Sequence, residues 1–98
     1  PAVVEVHPEV SFAVAAGVSL RFSKSTWAGV EERRAILVGV GVDVPSDLGL
    51  AGELAGADDV LDAAIACWSA GRFARGVAVS YPDPPEDLGD GRVAAIWA

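Results

Sequence analysis

Methionine is absent from this chain, cysteine and histidine occur once each, and basic residues number only seven among 98. A lone Cys67 excludes an intrachain disulfide framework and any CxxC metal pattern. Next to Trp68 in an apolar stretch, and with no histidine near it in sequence, Cys67 reads as a small buried residue rather than a nucleophile. The shortage of positive charge leaves a net charge of −7, which argues against a nucleic-acid binder that works by bulk attraction. It does not exclude an enzyme acting on nucleic acid, because Arg21, Lys24, Arg33 and Arg34 fall within one short segment. Long hydrophobic runs are missing as well. Residues 12–20 and 35–42 are the candidates, and both are short and broken by Gly or Ser, so a membrane span is not expected. No signal peptide is visible, and a reducing cytoplasmic setting fits.

What is present is an excess of apolar residues for one small domain. Hydrophobic residues make up 52% of the chain, and the 11 glycines raise the apolar class to roughly 60%, against a soluble average of about 45–50%. A chain of this length builds one modest core and no second domain. The surplus therefore asks for a burial partner: a neighbouring segment, or a second copy in a homodimer. The chain opens on Pro1 and enters a β-type run without a polar lead-in. We read residues 1–98 as the C-terminal fragment of a single domain in a longer protein.

Along the chain, residues 2–6 form a compact β-branched run expected to be a buried strand, interrupted by Glu5. Pro8 suits a first helical turn and Gly17 a helix stop, which predicts a helix over 8–16. Ser25 or Thr26 caps a second helix that reaches Val38, with Trp27, Val30, Ile36 and Leu37 as apolar positions and Glu31, Glu32, Arg33 and Arg34 as the wet face. Gly39 and Gly41 end it. Residues 44–57, rich in Gly, hold at most one weak helical turn. A third helix over 57–75 places Val60, Leu61, Ala64, Ile65 and Trp68 on one face, with Gly76 as its stop. The proline-rich segment 81–87 cannot be helix or central strand, and Asp90-Gly91 marks a turn before a strand over 92–97. The result is an α/β fold with too few strands for an independent sheet.

The acidic residues carry the candidate chemistry. Asp58 and Asp62 stand four apart, and Asp59 and Asp62 three apart, on one helical stripe where like charges repel. Asp58 is explained as an N-cap in the field of the helix dipole. Asp62 lies past the first turn, between Leu61 and Ala63, where the dipole has faded. It is the candidate for metal coordination. Glu5 shares a strand face with Val3 and His7; it either meets a partner in the interior or, on an edge strand, faces water. His7 and Glu9 flank Pro8 at a strand-to-helix turn, in positions that suit helix capping. Lys24 stands just ahead of a helix N-terminus, where it either holds a phosphate or is simply a solvated lysine beside a cap.

Three segments together resemble a family of predicted nucleases with the RNase H-like fold, catalogued as domain of unknown function 429. They are Glu5-Val6-His7-Pro8-Glu9, then Ser23-Lys24-Ser25-Thr26-Trp27-Ala28-Gly29 leading to Glu32-Arg33, and Asp58-Asp59-Val60-Leu61-Asp62-Ala63. The ending Ala95-Ile96-Trp97-Ala98 looks like that family's C-terminus. The resemblance implies the C-terminal portion of a mixed sheet flanked by helices, with carboxylates gathered around Mg²⁺ or Mn²⁺. Glu5 would be the central-strand ligand and Asp62 the helical ligand with Asp59 beside it, an arrangement like that of Holliday-junction resolvases. Two ions would activate water and stabilise the leaving oxygen in phosphodiester hydrolysis. Lys24, His7 and Glu9 would support the site or touch a nucleic acid substrate. The opening strand hairpin of that fold, with its first catalytic Asp, is not among these residues, so the fragment alone is expected to be inactive. Two alternatives stand beside this reading. One is a non-catalytic interaction or structural domain whose acids are caps and surface charge; the other is a phosphate-binding module built on Lys24.

Overall fold

Helix boundaries in this protein follow its prolines, hydroxyls and glycines. In the computed structural model, which describes residues 3–98, α1 spans Pro8–Ala16, with proline at its start and Gly17 at its end in the left-handed region. Helix α2 spans Trp27–Gly39 and is capped by Thr26, whose hydroxyl accepts the Gly29 N–H at 3.0 Å. At its far end Val42 N–H donates to the Leu37 carbonyl at 2.9 Å and Gly41 N–H to that of Val38 at 3.1 Å, the paired bonds of a Schellman stop. Helix α4, Ala57–Ala74, ends in the same way: Val77 N–H reaches Arg72 O and Gly76 N–H reaches Phe73 O, both at 3.0 Å. Between them α3, Leu50–Leu54, is the single weak turn expected.

The remaining elements form a small sheet. Strands β1 (Ser80–Gly89) and β2 (Arg92–Trp97) pair antiparallel around Asp90-Gly91, both with positive φ as a type I′ hairpin turn requires. The proline-rich stretch, excluded as a helix or central strand, is a strand at an edge. Its pairing breaks register between Tyr81 and Glu86, where three prolines have no N–H to donate. Beside β2 on its other side runs the start of the chain, joined by a parallel bridge from Glu5 to Ile96 and a 2.9 Å bond from Trp97 N–H to Glu5 O. The buried strand expected at residues 2–6 is thus reduced to one bridge, and Ala2 lies outside the described residues. Val3 is fully in solvent, while Val4 and Val6 on the opposite face are half-buried. The fold is mixed α/β.

Helices α1, α2 and α4 enclose the core of Phe12, Leu37, Leu61 and Ile65, with Val30, Val44 and Trp68 packed against it. Ser69 Oγ donates to Ser11 Oγ at 2.7 Å between α4 and α1, both side chains fully buried, so each hydroxyl has a partner. Three expectations fail here for one geometric reason. Arg33, expected on the wet face, is 2% exposed, because it shares the inner stripe of α2 with Gly29 and Leu37 four residues to either side. Trp27 shares the outer stripe with Glu31 and Val38 and is 75% exposed instead of joining the core. Cys67 is exposed because it stands two residues from both Ile65 and Ser69, on the opposite side of α4. Much of the apolar surplus also stays at the surface, in Val18, Val38, Leu54 and Val93 among others. Among the described residues no helix is long and apolar enough to cross a membrane.

The buried guanidinium of Arg33 is the most consequential of these placements. Its Nε and Nη2 fork onto Glu9 of α1 at 3.3 and 2.7 Å, and Nη1 donates to the carbonyls of Phe22 and Gly29 at 3.0 Å each. It also lies over the Phe12 ring, 5.7 Å from its centroid. Replacing it should strand several acceptors at once. Arg33→Met is expected to lower unfolding stability by about 2–4 kcal/mol, read as a shift of the urea midpoint at unchanged slope.

Candidate functional site

The segment between α1 and α2 is held at residues 21–23 by side chains of α2 and of its N-cap. Glu32 accepts the Arg21 N–H with both carboxylate oxygens, at 3.1 and 2.8 Å, and the Phe22 N–H at 3.0 Å. These bonds, led by that from Arg21, hold the Glu32 carboxyl below its ordinary pKa of 4.5. Arg33 takes the Phe22 carbonyl, as above, and Thr26 Oγ1 donates to the Ser23 carbonyl at 2.7 Å. Gly29 completes the clamp. A Cβ at this position would run into the Ser23 carbonyl, so only glycine lets the loop lie against the first turn of α2.

The clamped loop delivers Lys24 to the start of α4. Its Nζ stands 3.3 Å from Asp62 Oδ2, to which it donates, and 3.6 Å from Asp58 Oδ2. The hydrogen bond to Asp62 and the charge of that carboxylate raise the Lys24 pKa above its ordinary 10.5. Repulsion between Asp58 and Asp62 is therefore offset by a side chain of this chain. The other Asp62 oxygen, Oδ1, is buried and has no hydrogen-bond partner among the described residues.

The remaining acids lie apart from this contact. Asp58 is not the N-cap; Gly56 is, without a side-chain bond, and Asp58 occupies the second helical position, where the dipole still favours a carboxylate. Asp59 follows it, exposed, and both carboxylates fold back toward Gly56, 3.0 and 3.2 Å from where a Cβ on that glycine would stand. Glu5 faces solvent beside β2 and takes a 3.1 Å hydrogen bond with His7 Nε2. His7 is the N-cap residue of α1 but makes no side-chain cap, and Glu9 is spent on Arg33.

Lys24 and Asp62 are thus brought together, with Asp58 and Asp59 on the neighbouring turn, while Glu5 does not join them in a metal-binding group. Among the described residues no three His, Cys, Asp or Glu side chains gather closely enough to hold a metal ion. A hard dication takes about six oxygens, and Asp62 Oδ1 is one. The residues present do not by themselves fit Mg²⁺ or Mn²⁺. Glu32 and Arg33 close the second motif but were expected on the wet face; the signal that could have turned Arg33 inward is its four-residue spacing from Gly29 and Leu37.

A model of the family described as "Protein of unknown function (DUF429)" matches residues 1–87. No curated protein and no solved structure matches the chain.

Two measurements test this geometry. Asp62→Asn should return the Lys24 titration toward 10.5, followed by NMR of the Lys24 side chain. Because the folded pKa is raised, the stabilisation from this contact is complete below pH 10.5 and disappears as pH rises through the folded value. Gly29→Ala should lower stability by about 1–3 kcal/mol and shift the amide signals of residues 21–26, whereas Gly39→Ala, where a Cβ meets nothing within 4 Å, should leave them in place.

Proposed function

We propose, for a chain that belongs to the DUF429 family, that it supplies the helix-borne acid and its supporting loop to a metal-dependent nuclease of RNase H-like fold that hydrolyses phosphodiester bonds. The observation that carries this reading is the state of Asp62. A buried carboxylate oxygen without a partner costs about 1–3 kcal/mol or more, and its twin oxygen is held by a lysine presented on a clamped loop. Such an orphan asks for a ligand. The proposal assigns Asp62 as the principal acid, with Asp59 on the preceding turn, Glu5 at the bridge beside β2 as a further acid that would have to turn from His7 toward them, and Mg²⁺ or Mn²⁺ as cofactor of a site that needs carboxylates beyond those gathered here. Lys24 orients Asp62 through the bond to its Oδ2, and its remaining donors are available to a phosphate oxygen. These residues alone are expected to be inactive.

One observation favours a second reading, a non-catalytic α/β module. Asp58 and Asp59 occupy the first turn of α4, and Lys24 bridges Asp58 and Asp62 as a structural ion pair would.

The test is cleavage of labelled single-stranded and duplex DNA and RNA by the complete protein carrying these residues, with Mg²⁺ or Mn²⁺. Asp62→Asn should reduce the rate by about 100-fold or more without changing the circular dichroism spectrum. No cleavage of any substrate, or equal cleavage by the variant, overturns the proposal.

A further inference from the structure

The loop that presents Lys24 and the first turn of α2 that follows it set two exposed aromatic side chains next to cations. Within residues 21–27, Phe22 is 42% and Trp27 75% exposed, and the Arg21 guanidinium lies 5.1 Å from the Phe22 ring centroid. Arg21 makes no salt bridge among the described residues, and every residue from 21 to 28 is exposed. An exposed tryptophan is costly to maintain in water, and a flexible loop would fold it away. Here Trp27 is fixed on the outer stripe of α2, and the loop before it is clamped: Glu32 holds the Arg21 and Phe22 amides, Arg33 the Phe22 carbonyl, and Gly29 leaves room for the Ser23 carbonyl.

We infer that residues 21–27 form a rigid platform for single-stranded nucleic acid, with Phe22 and Trp27 stacking on bases and Arg21 and Lys24 meeting phosphates. The inference rests on the nuclease reading for the class of polymer and goes beyond it in naming the surface. Three features select this occupant. Aromatic faces beside cations match unstacked bases strung on a phosphate backbone. A duplex keeps its bases stacked on one another and offers these rings no face. Lys24 belongs both to the platform and to the Asp62 contact, so a strand bound here passes beside the proposed acid. With a net charge of −7, stacking supplies most of the affinity, and one or two phosphates predict a shallow salt slope of about −0.7 to −1.4 in log K against log salt.

The experiment is fluorescence anisotropy of fluorescein-labelled dT15 and U15 with the complete protein in EDTA, where cleavage is off. Trp27→Ala and Phe22→Ala should each weaken binding of the preferred oligonucleotide about tenfold, and a duplex of the same length should bind at least tenfold more weakly than the single strand. Since Trp27 is exposed, its variant should keep the wild-type melting temperature, and the quenching of tryptophan fluorescence by the oligonucleotide should be lost with it. Unchanged affinity in both variants, or equal affinity for duplex, overturns the inference. So does sedimentation showing that Trp27→Ala abolishes self-association while oligonucleotide binding persists, which would give the surface to a second copy. Cleavage lost in Asp62→Asn with affinity unchanged in Trp27→Ala and Phe22→Ala would sink the platform and keep the nuclease. Binding lost in those two variants of a protein that cleaves nothing would do the reverse.

Discussion

A guanidinium withdrawn from water must be ringed by acceptors, and the ring around Arg33 joins three parts of the chain that share little else. Glu9 ties it to α1, Gly29 O to its own helix, and Phe22 O to the loop before α2. A buried charge tolerates no looseness in its neighbours, because each lost acceptor leaves a donor unsatisfied in a low dielectric. The loop therefore inherits the rigidity of the core. Glu32, on the adjacent position of α2, extends the grip to the amides of Arg21 and Phe22. Everything proposed about function stands on that loop and the helix it leads into, since the loop sets Lys24 over Asp62 and α2 turns Trp27 to solvent.

The acidic stretch at the start of α4 divides by position. Asp58 and Asp59 sit in the first turn, where the helix dipole favours carboxylates and exposure screens their repulsion. Asp62 sits one turn deeper, mostly out of water, and needs a cation close by. Lys24 meets one of its oxygens, and the other is buried without a partner among the described residues. This difference in solvation, rather than the number of acids, is what makes Asp62 a candidate.

Helix positions were largely legible from local signals. Pro8, Thr26 and the stops at Gly17, Gly41 and Gly76 act through φ, a missing N–H or a nearby hydroxyl, and each works within a few residues of itself. The turn at Asp90-Gly91 was legible for the same reason. Less was legible where a residue's fate depends on the far side of a helix. Polarity placed Arg33 in solvent and size placed Trp27 in the core, and packing reversed both. The pairing of residues 80–89 was hidden because prolines suppress a strand signal while an edge position tolerates them. Of the candidate site, the three motifs were visible, but not that Lys24 reaches across 38 residues to Asp62 while Glu5 turns to His7.

Residue chemistry and spacing alone established the helices, the turn at Asp90-Gly91 and the α/β class, and three motifs carried the resemblance to the DUF429 family, whose model matches residues 1–87. These are local or additive properties, set by backbone preference and by patterns read along the chain. Which polar groups meet was decided only when the helices packed. Burying Phe12, Leu37, Leu61 and Ile65 fixed the rotation of each helix, and that rotation drew Arg33 inward and left Trp27 outside. The clamped loop then carried Lys24 to Asp62. Burial depends on all of the chain at once, and no window of sequence contains it.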